Sequence, residues 1–291
     1  MGGLAVSDLI LVAQRLEYRY PGGVQGLRGV NLAVRGGSKL AVLGANGAGK
    51  STLLLHLNGT LRPERGEIFL DGRPVQYSRP GLMAWRQQVG LVLQDPDDQL
   101  FAASVHQDVS FGPLNLGLSE AAVRERVAEA LRAMELEDLW DHPTHLLSFG
   151  QRKRVAIAGM VAMRPRVLIL DEPTAGLDPQ GTEHLLVVLE RLHQAGTTLI
   201  MATHDMDLAY AWADETAVLH QGTVLRQGVP ATVLQDESLL AGSHLRIPWA
   251  LTMGLRLREL GWLSPAADLP RTRADLMACL QPNPHGWCKS P

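Results

Sequence analysis

The run Gly44-Ala45-Asn46-Gly47-Ala48-Gly49-Lys50-Ser51 constrains this chain more than any other stretch. It fits the phosphate-loop pattern in full: a glycine, four free positions, then Gly-Lys-Ser. Such a loop works only between a buried strand and a helix. Leu40-Ala41-Val42-Leu43 reads as that strand and residues 50–57 as that helix. Gly44, Gly47 and Gly49, with Asn46 and Ala48 between them, allow successive backbone N–H groups to wrap phosphate oxygens. Lys50 is expected to reach the β and γ phosphates and Ser51 to coordinate Mg2+, with Thr52 completing the nucleotide-binding set. The positive end of the helix adds a fixed electrostatic attraction. The loop therefore predicts MgATP binding on an α/β scaffold.

The rest of the chain supplies that scaffold. Apolar alternation over residues 9–18, the turn Pro21-Gly22-Gly23 and a short run at 30–34 predict an N-terminal antiparallel β layer. Buried strands are expected at 89–93, 167–171, 198–202 and 216–219, with helices at 121–134, 152–163 and 182–194. Strands alternating with helices imply a mostly parallel sheet covered on both faces. A single ATPase unit is expected, since no long internal repeat is visible. From about residue 222 the character changes to a turn, short helices and a tail rich in Pro, Trp and Arg.

Composition narrows the partners. The chain has 291 residues, 46% of them hydrophobic, and a net charge of -3, which is no electrostatic footprint for nucleic acid. Cys279 and Cys288 sit too near the end to staple the body of the fold and fit a reducing cytosol. Residues 1–8 lack the basic start and apolar stretch of a signal peptide, and no apolar run approaches the roughly 20 residues of a membrane span. A membrane role would need another chain as anchor. His142 and His145 lack the companions of a metal site and read as loop histidines, and Arg152-Lys153-Arg154 reads as the solvated start of a helix.

Three further segments carry chemistry. Val167-Leu168-Ile169-Leu170-Asp171-Glu172 is an apolar strand ending in two acids. Asp171 suits a Mg2+ contact and Glu172 the polarisation of an attacking water, the two tasks that phosphoryl transfer leaves to protein. Leu147-Ser148-Phe149-Gly150-Gln151, Asp171-Glu172-Pro173-Thr174-Ala175-Gly176-Leu177-Asp178 and His204 complete the set. Together with the phosphate loop they resemble the ABC ATPase family, whose signature typically reads Leu-Ser-Gly-Gly-Gln. The resemblance implies a head-to-tail dimer in which Ser148, Gly150 and Gln151 of one subunit close over ATP held by the other. It implies that His204 contacts the γ phosphate, that Gln94 contacts Mg2+ and the attacking water and senses a membrane partner, and that Asp178 speaks across the dimer. It places an adenine-stacking aromatic at Tyr20; Tyr18 is close enough to leave the register open, and packing within the strand is an equal alternative. Phe149 stands where the family has a glycine, so an altered but working signature is expected.

Gln94-Asp95-Pro96-Asp97-Asp98-Gln99-Leu100-Phe101, the run from Asp108 to Leu118, and Val155-Ala156-Ile157-Ala158-Gly159-Met160 resemble energy-coupling-factor importers, most of all cobalt or nickel import ATPases of the CbiO type. That implies a peripheral motor on the cytoplasmic face of the membrane. Its expected partners are a second ATPase subunit, identical in a homodimer, a membrane coupling protein and a substrate-capturing membrane protein. Asp95, Asp97 and Asp98 with Leu100 and Phe101 are expected to receive a helix of the coupling protein. The expected layout is an ABC nucleotide-binding domain at 1–225, its helical subdomain at about 95–165, and a C-terminal extension at 226–291 with dimer contacts. A vitamin importer of the same group is the alternative. A soluble ABC ATPase fits less well, because neither a coiled-coil insertion nor a second ATPase unit is visible.

Overall fold

A computed structural model describes residues 8–280 of the chain. The readings made for residues 1–7 and for Cys288 lie outside the described residues. Strands β1 (Leu9–Arg19) and β2 (Gln25–Arg35) pair antiparallel across the Pro-Gly-Gly turn, as their alternation predicts. Two strands that the sequence reading missed, β4 (Arg65–Leu70) and β5 (Arg73–Pro74), extend this layer in the order β2-β1-β4-β5. Gly66 explains why β4 escaped notice. It breaks the apolar alternation, yet its φ of +88° and a Cβ position 2.4 Å from the Arg15 carbonyl leave room for nothing larger.

The second sheet carries the site. It contains β3 (Lys39–Leu43), β6 (Val89–Val92), β7 (Val167–Asp171), β8 (Thr198–Thr203), β9 (Glu215–His220) and β10 (Thr223–Gly228), in the order β10-β9-β3-β8-β7-β6. All neighbours are parallel except β10 against β9. β7 and β8 are buried along their whole length, as a sheet covered on both faces requires. Successive residues serve opposite cores. Leu40, Val42, Ile169 and Ile200 join the cluster under the antiparallel layer, whereas Ala41, Leu43, Leu170 and Met201 join the one under the helices.

Strand register then fixes the edge at which function can sit. Leu43 pairs with Thr203, Asp171 with Ala202, and Val92 with Leu170, so β3, β6, β7 and β8 end level with one another. The next residues after them, 44, 93, 172 and 204, emerge side by side at the carboxyl edge, the usual ligand-binding edge of such sheets.

Helix starts follow their caps. Helix α1 spans Lys50–Leu57 as predicted. Helix α4 (Glu120–Ala133) starts after Ser119, and α6 (Pro179–Gln194) starts at a proline after Asp178, three residues earlier than the apolar pattern alone indicates. Helices α2 (Arg79–Gln88), α3 (Val105–Asn115) and α7 (Met206–Trp212) were not anticipated. Of these, α3 packs with α4 and α5 (Phe149–Ala162) through Val109, Val127, Leu131 and Ile157. Beyond α7 (Met206–Trp212), α8 (Pro230–Leu234) and α9 (Glu237–Gly242) insert Val233, Leu234 and Leu240 into the same core as the parallel sheet. Helix α10 (Trp249–Glu259) adds Ala250 and Leu251 to that core; its Leu257 meets Leu263 and Leu276 of α11 (Arg273–Cys279) in a separate small cluster.

Candidate nucleotide site

The loop at 44–51 is held in shape by glycines that nothing else can replace. A Cβ on Gly44 would lie 2.5 Å from the Leu219 carbonyl oxygen, and one on Gly49 2.9 Å from that of Gly26. Gly47 and Gly49 take left-handed backbones, with φ of +80° and +105°. Helix α1 begins without a side-chain cap, leaving its first-turn N–H groups for an anion. Lys50 is buried; its Nζ donates to the Gly44 carbonyl at 2.8 Å and lies 3.4 Å from Glu172 Oε1.

Asp171 and Glu172, each 5% exposed, leave β7 into this space. Burial raises the pKa of Asp171, and the neighbouring Glu172 adds to that; a hydrogen bond with Ser51 and the charges of Lys50 and Lys153 oppose it. The Oδ1 atom of Asp171 is buried without a hydrogen-bond partner among the described residues. A buried carboxylate oxygen left open beside a serine hydroxyl is a hard-oxygen donor set that fits Mg2+. Glu172 has a φ of +44°, an uncommon backbone for a residue with a side chain. Its Oε1 lies 3.0 Å from His204 Nδ1, and its Oε2 accepts from the buried Thr203 hydroxyl at 3.3 Å.

These groups line a cleft of about 520 Å³ together with Tyr20, Asn46, Gly47, Gly49, Lys50, Ser51, Thr52 and Gln94. Gly44 and Ala48 shape the loop from behind. Of the two tyrosines, Tyr20 lines the cleft and its hydroxyl lies 2.9 Å from Thr52 Oγ1, whereas Tyr18 packs edge-on between Tyr20 and buried His56, with centroid distances of 5.0 and 4.6 Å. Val24, Gln25 and Gly26 of the β1–β2 hairpin also line the cleft, a contribution that no motif announced. Thr203 was also missed as a site residue. Its signal was its place between a buried strand and His204.

The other sequence-predicted residues do not line this cleft. Ser148 and Gln151 form a capping box: Ser148 Oγ accepts from the Gln151 N–H at 3.2 Å, and Gln151 Oε1 accepts from the Ser148 N–H at 2.8 Å. Gly150 adjoins Leu177, and Asp178 caps α6 by accepting from the Gly181 N–H at 2.6 Å.

Two expectations need correction. Arg152-Lys153-Arg154 is not a solvated run. Lys153 is 1% exposed and donates to the carbonyls of Glu172 at 2.7 Å and Ala175 at 3.0 Å. Arg152 pairs with Asp97 at 2.8 Å, and Arg154 donates to the Met134 carbonyl at 3.0 Å. Lys153 lies one helical turn before buried Ile157, and that spacing was the available signal. The acids at 95, 97 and 98 do not form one receptive surface with Leu100 and Phe101 either. Asp97 is engaged by Arg152, Leu100 packs on the core, and Phe101 opens onto a different groove.

Comparison with known proteins places this geometry. The family model described as ABC transporter matches residues 27–175. The chain is 56% identical over 280 residues to a cobalt import ATP-binding protein of Rhodobacter capsulatus, covering 96% of this chain and 99% of that one. It is 48% identical over 239 residues to an energy-coupling factor transporter ATP-binding protein of Methanocaldococcus jannaschii, covering 82% and 86% of the two chains. The solved structure of a Clostridium perfringens cbiO1, described as part of an ABC transporter complex, superposes with a TM-score of 0.72 at 46% identity over 87% of this chain and 97% of that one. A dimeric ATP-binding cassette in a post-hydrolysis state, bound to ADP and phosphate, gives 0.70 at 28% identity, covering 76% and 99%. The chain belongs to the ABC transporter family of ATP-binding subunits, the ATPases that drive transport.

Proposed function

We propose that this chain is the ATP-hydrolysing motor of an energy-coupling-factor importer and that its cargo is cobalt, with nickel as the related substrate. The observation that carries the motor reading is the convergence of Lys50, Ser51, Asp171, Glu172 and His204 on one cleft at the carboxyl edge of the sheet. The cargo reading rests on likeness to the cobalt importer's ATPase along nearly the whole of both chains.

Tyr20 would stack on adenine while the loop at 44–51 and Thr52 hold the phosphates. Ser51, Asp171 and Gln94 would hold Mg2+, which when bound neutralises charge on the β and γ phosphate oxygens. Lys50 exchanges the Gly44 carbonyl and Glu172 for those oxygens. Glu172 is thereby free to take the proton of the attacking water, with His204 at the γ phosphate. Ser148, Gly150 and Gln151 sit away from their own cleft, which supports a dimer in which they and Asp178 face the partner's nucleotide. A helix N-terminus pointing there would favour an anion.

Docking to the membrane would use the groove of about 720 Å³ between α2, α3 and α5. Its lip carries Phe101 and Phe111, 64% and 51% exposed and packed edge-on. An apolar groove of this shape suits an amphipathic helix of a coupling protein, and no helix among the described residues is long and apolar enough to cross a membrane itself. Cross-links from positions 101 and 111 to the membrane chain test this; their absence would move the docking site elsewhere.

The function is tested by measuring cobalt and nickel in cells lacking this protein and complemented with wild type or Glu172→Gln. Metal uptake restored by wild type alone supports the reading. Loss of ATPase in Glu172→Gln with no metal difference keeps the motor and transfers the cargo to a vitamin.

A further inference from the structure

The start of α5 is wired to the segment after β7 by contacts that phosphate binding does not require. Lys153 reaches out of α5 to the Glu172 and Ala175 carbonyls at 2.7 and 3.0 Å, and it is 1% exposed. One turn earlier on the same helix, Phe149 sets its ring against Gly176: a Cβ there would fall 2.6 Å from a ring carbon, and Gly176 has a φ of +77°. The ammonium of Lys153 sits 5.8 Å from the centroid of that ring, within reach of a cation–π attraction. The segment so gripped includes Glu172, whose left-handed backbone persists only if its surroundings hold it. Its own N–H donates to Ala202 at 3.0 Å, so Lys153 supplies the second anchor on the other side of the residue.

We propose that Phe149 and Lys153 are positioning residues that lock the helix start at 148–151 to the 172–176 segment as one body. The signature presented to a second chain's nucleotide then follows the state of Glu172 in its own chain. This rests on the dimer proposed above. A phenylalanine in place of a glycine is then the part that fills the gap between the helix and Gly176. The consequence is communication: hydrolysis at one site alters the geometry offered to the other.

The test uses the full chain and compares ATPase rate against ATP concentration for wild type, Phe149→Ala, Phe149→Tyr and Lys153→Met, with binding of a fluorescent ATP analogue to the single chain measured in parallel. Wild type is expected to show a Hill coefficient approaching about 2, the number of sites in the dimer. In Phe149→Ala and Lys153→Met it should fall toward about 1 with kcat reduced about tenfold, while single-chain analogue binding stays within about twofold. Phe149→Tyr, which keeps the ring, should restore cooperativity; a merely structural role would not produce that split. Should Lys153→Met fail to fold, Phe149→Ala, Gly176→Ala and their double variant form a cycle. The Gly176→Ala methyl collides with the ring only while Phe149 is present, so the two effects must be non-additive. Unchanged cooperativity in Phe149→Ala, or an additive cycle, overturns the lock. A non-cooperative wild type that remains monomeric with ATP overturns the dimer reading as well.

Discussion

Lys50 and Lys153 illustrate how the same residue type is turned to different ends by what surrounds it. Lys50 holds a loop carbonyl and the Glu172 carboxylate, both of which can be exchanged for phosphate. Replacing it with alanine removes a charge-assisted contact, so nucleotide binding should weaken by about 1.5–3 kcal/mol, roughly ten- to hundredfold in Kd. Titration calorimetry would measure this, and an unchanged Kd would remove Lys50 from the phosphate site. Lys153 instead faces fixed carbonyls. Burial pulls its pKa down to about 8, and the charges of Glu172, Asp171 and Asp95 only partly offset that. In the unfolded chain the group titrates near 10.5, so between these values the unfolded state holds the extra proton. Stability contributed by Lys153 therefore rises with pH across that window, and below it the folded protein carries the full cost of the buried charge, about 3 kcal/mol. Urea denaturation should show wild type gaining on Lys153→Met from about pH 8 to 10. A constant difference would mean that the buried charge is not penalised.

The last helices are joined to the body by core packing of α8 to α10 and, near the start of α11, by the side chain of Arg271. Arg271 donates from Nε to the Tyr210 carbonyl at 2.9 Å and from Nη2 to the Ala213 carbonyl, thereby capping the end of α7. Its backbone N–H in turn donates to Asp275, within the capping box that starts α11. Arg271→Ala should cost about 1–3 kcal/mol, because the α7 carbonyls lose their donor. Hydrogen exchange should quicken first in α10 and α11 and leave β3, β7 and β8 protected. Uniform loss of protection would show that these elements unfold with the core rather than before it.

Among the described residues, two apolar surfaces differ in character. The groove with Phe101 and Phe111 also takes in Gln99, five residues after Gln94 of the nucleotide cleft. The C-terminal end exposes Trp249, Met253, Leu260 and Met277, between 43% and 56% accessible, more apolar surface than a helical extension needs for its own packing. If that end holds two copies together, removing residues from 252 onward, which takes away Met253, Leu260 and Met277, should lower the dimer fraction of nucleotide-free protein. Mass measurement in solution decides this, and an unchanged fraction would exclude the extension as a clasp. The cut must fall after Leu251, since Val233, Leu234, Leu240 and Leu251 belong to the main core.

Local chemistry was legible in the sequence wherever function requires particular residues at fixed spacing. The phosphate loop, the two acids at the end of β7 and His204 could be found because glycines and charged groups cannot be exchanged there without losing the chemistry. The buried strands of the parallel sheet were legible too, since strands covered on both faces must be continuously apolar. Strand register, by contrast, depends on contacts between segments far apart in the chain. It brings residues 44, 93, 172 and 204 to one edge, and no local pattern encodes it. The same holds for Lys153, a charge in a basic run whose burial arises only when the 172–176 carbonyls fold over it, and for β4, whose Gly66 answers to the backbone of β1. Spacing along the chain determined which groups could act on a nucleotide; packing between distant segments decided which of them meet and which are held in place.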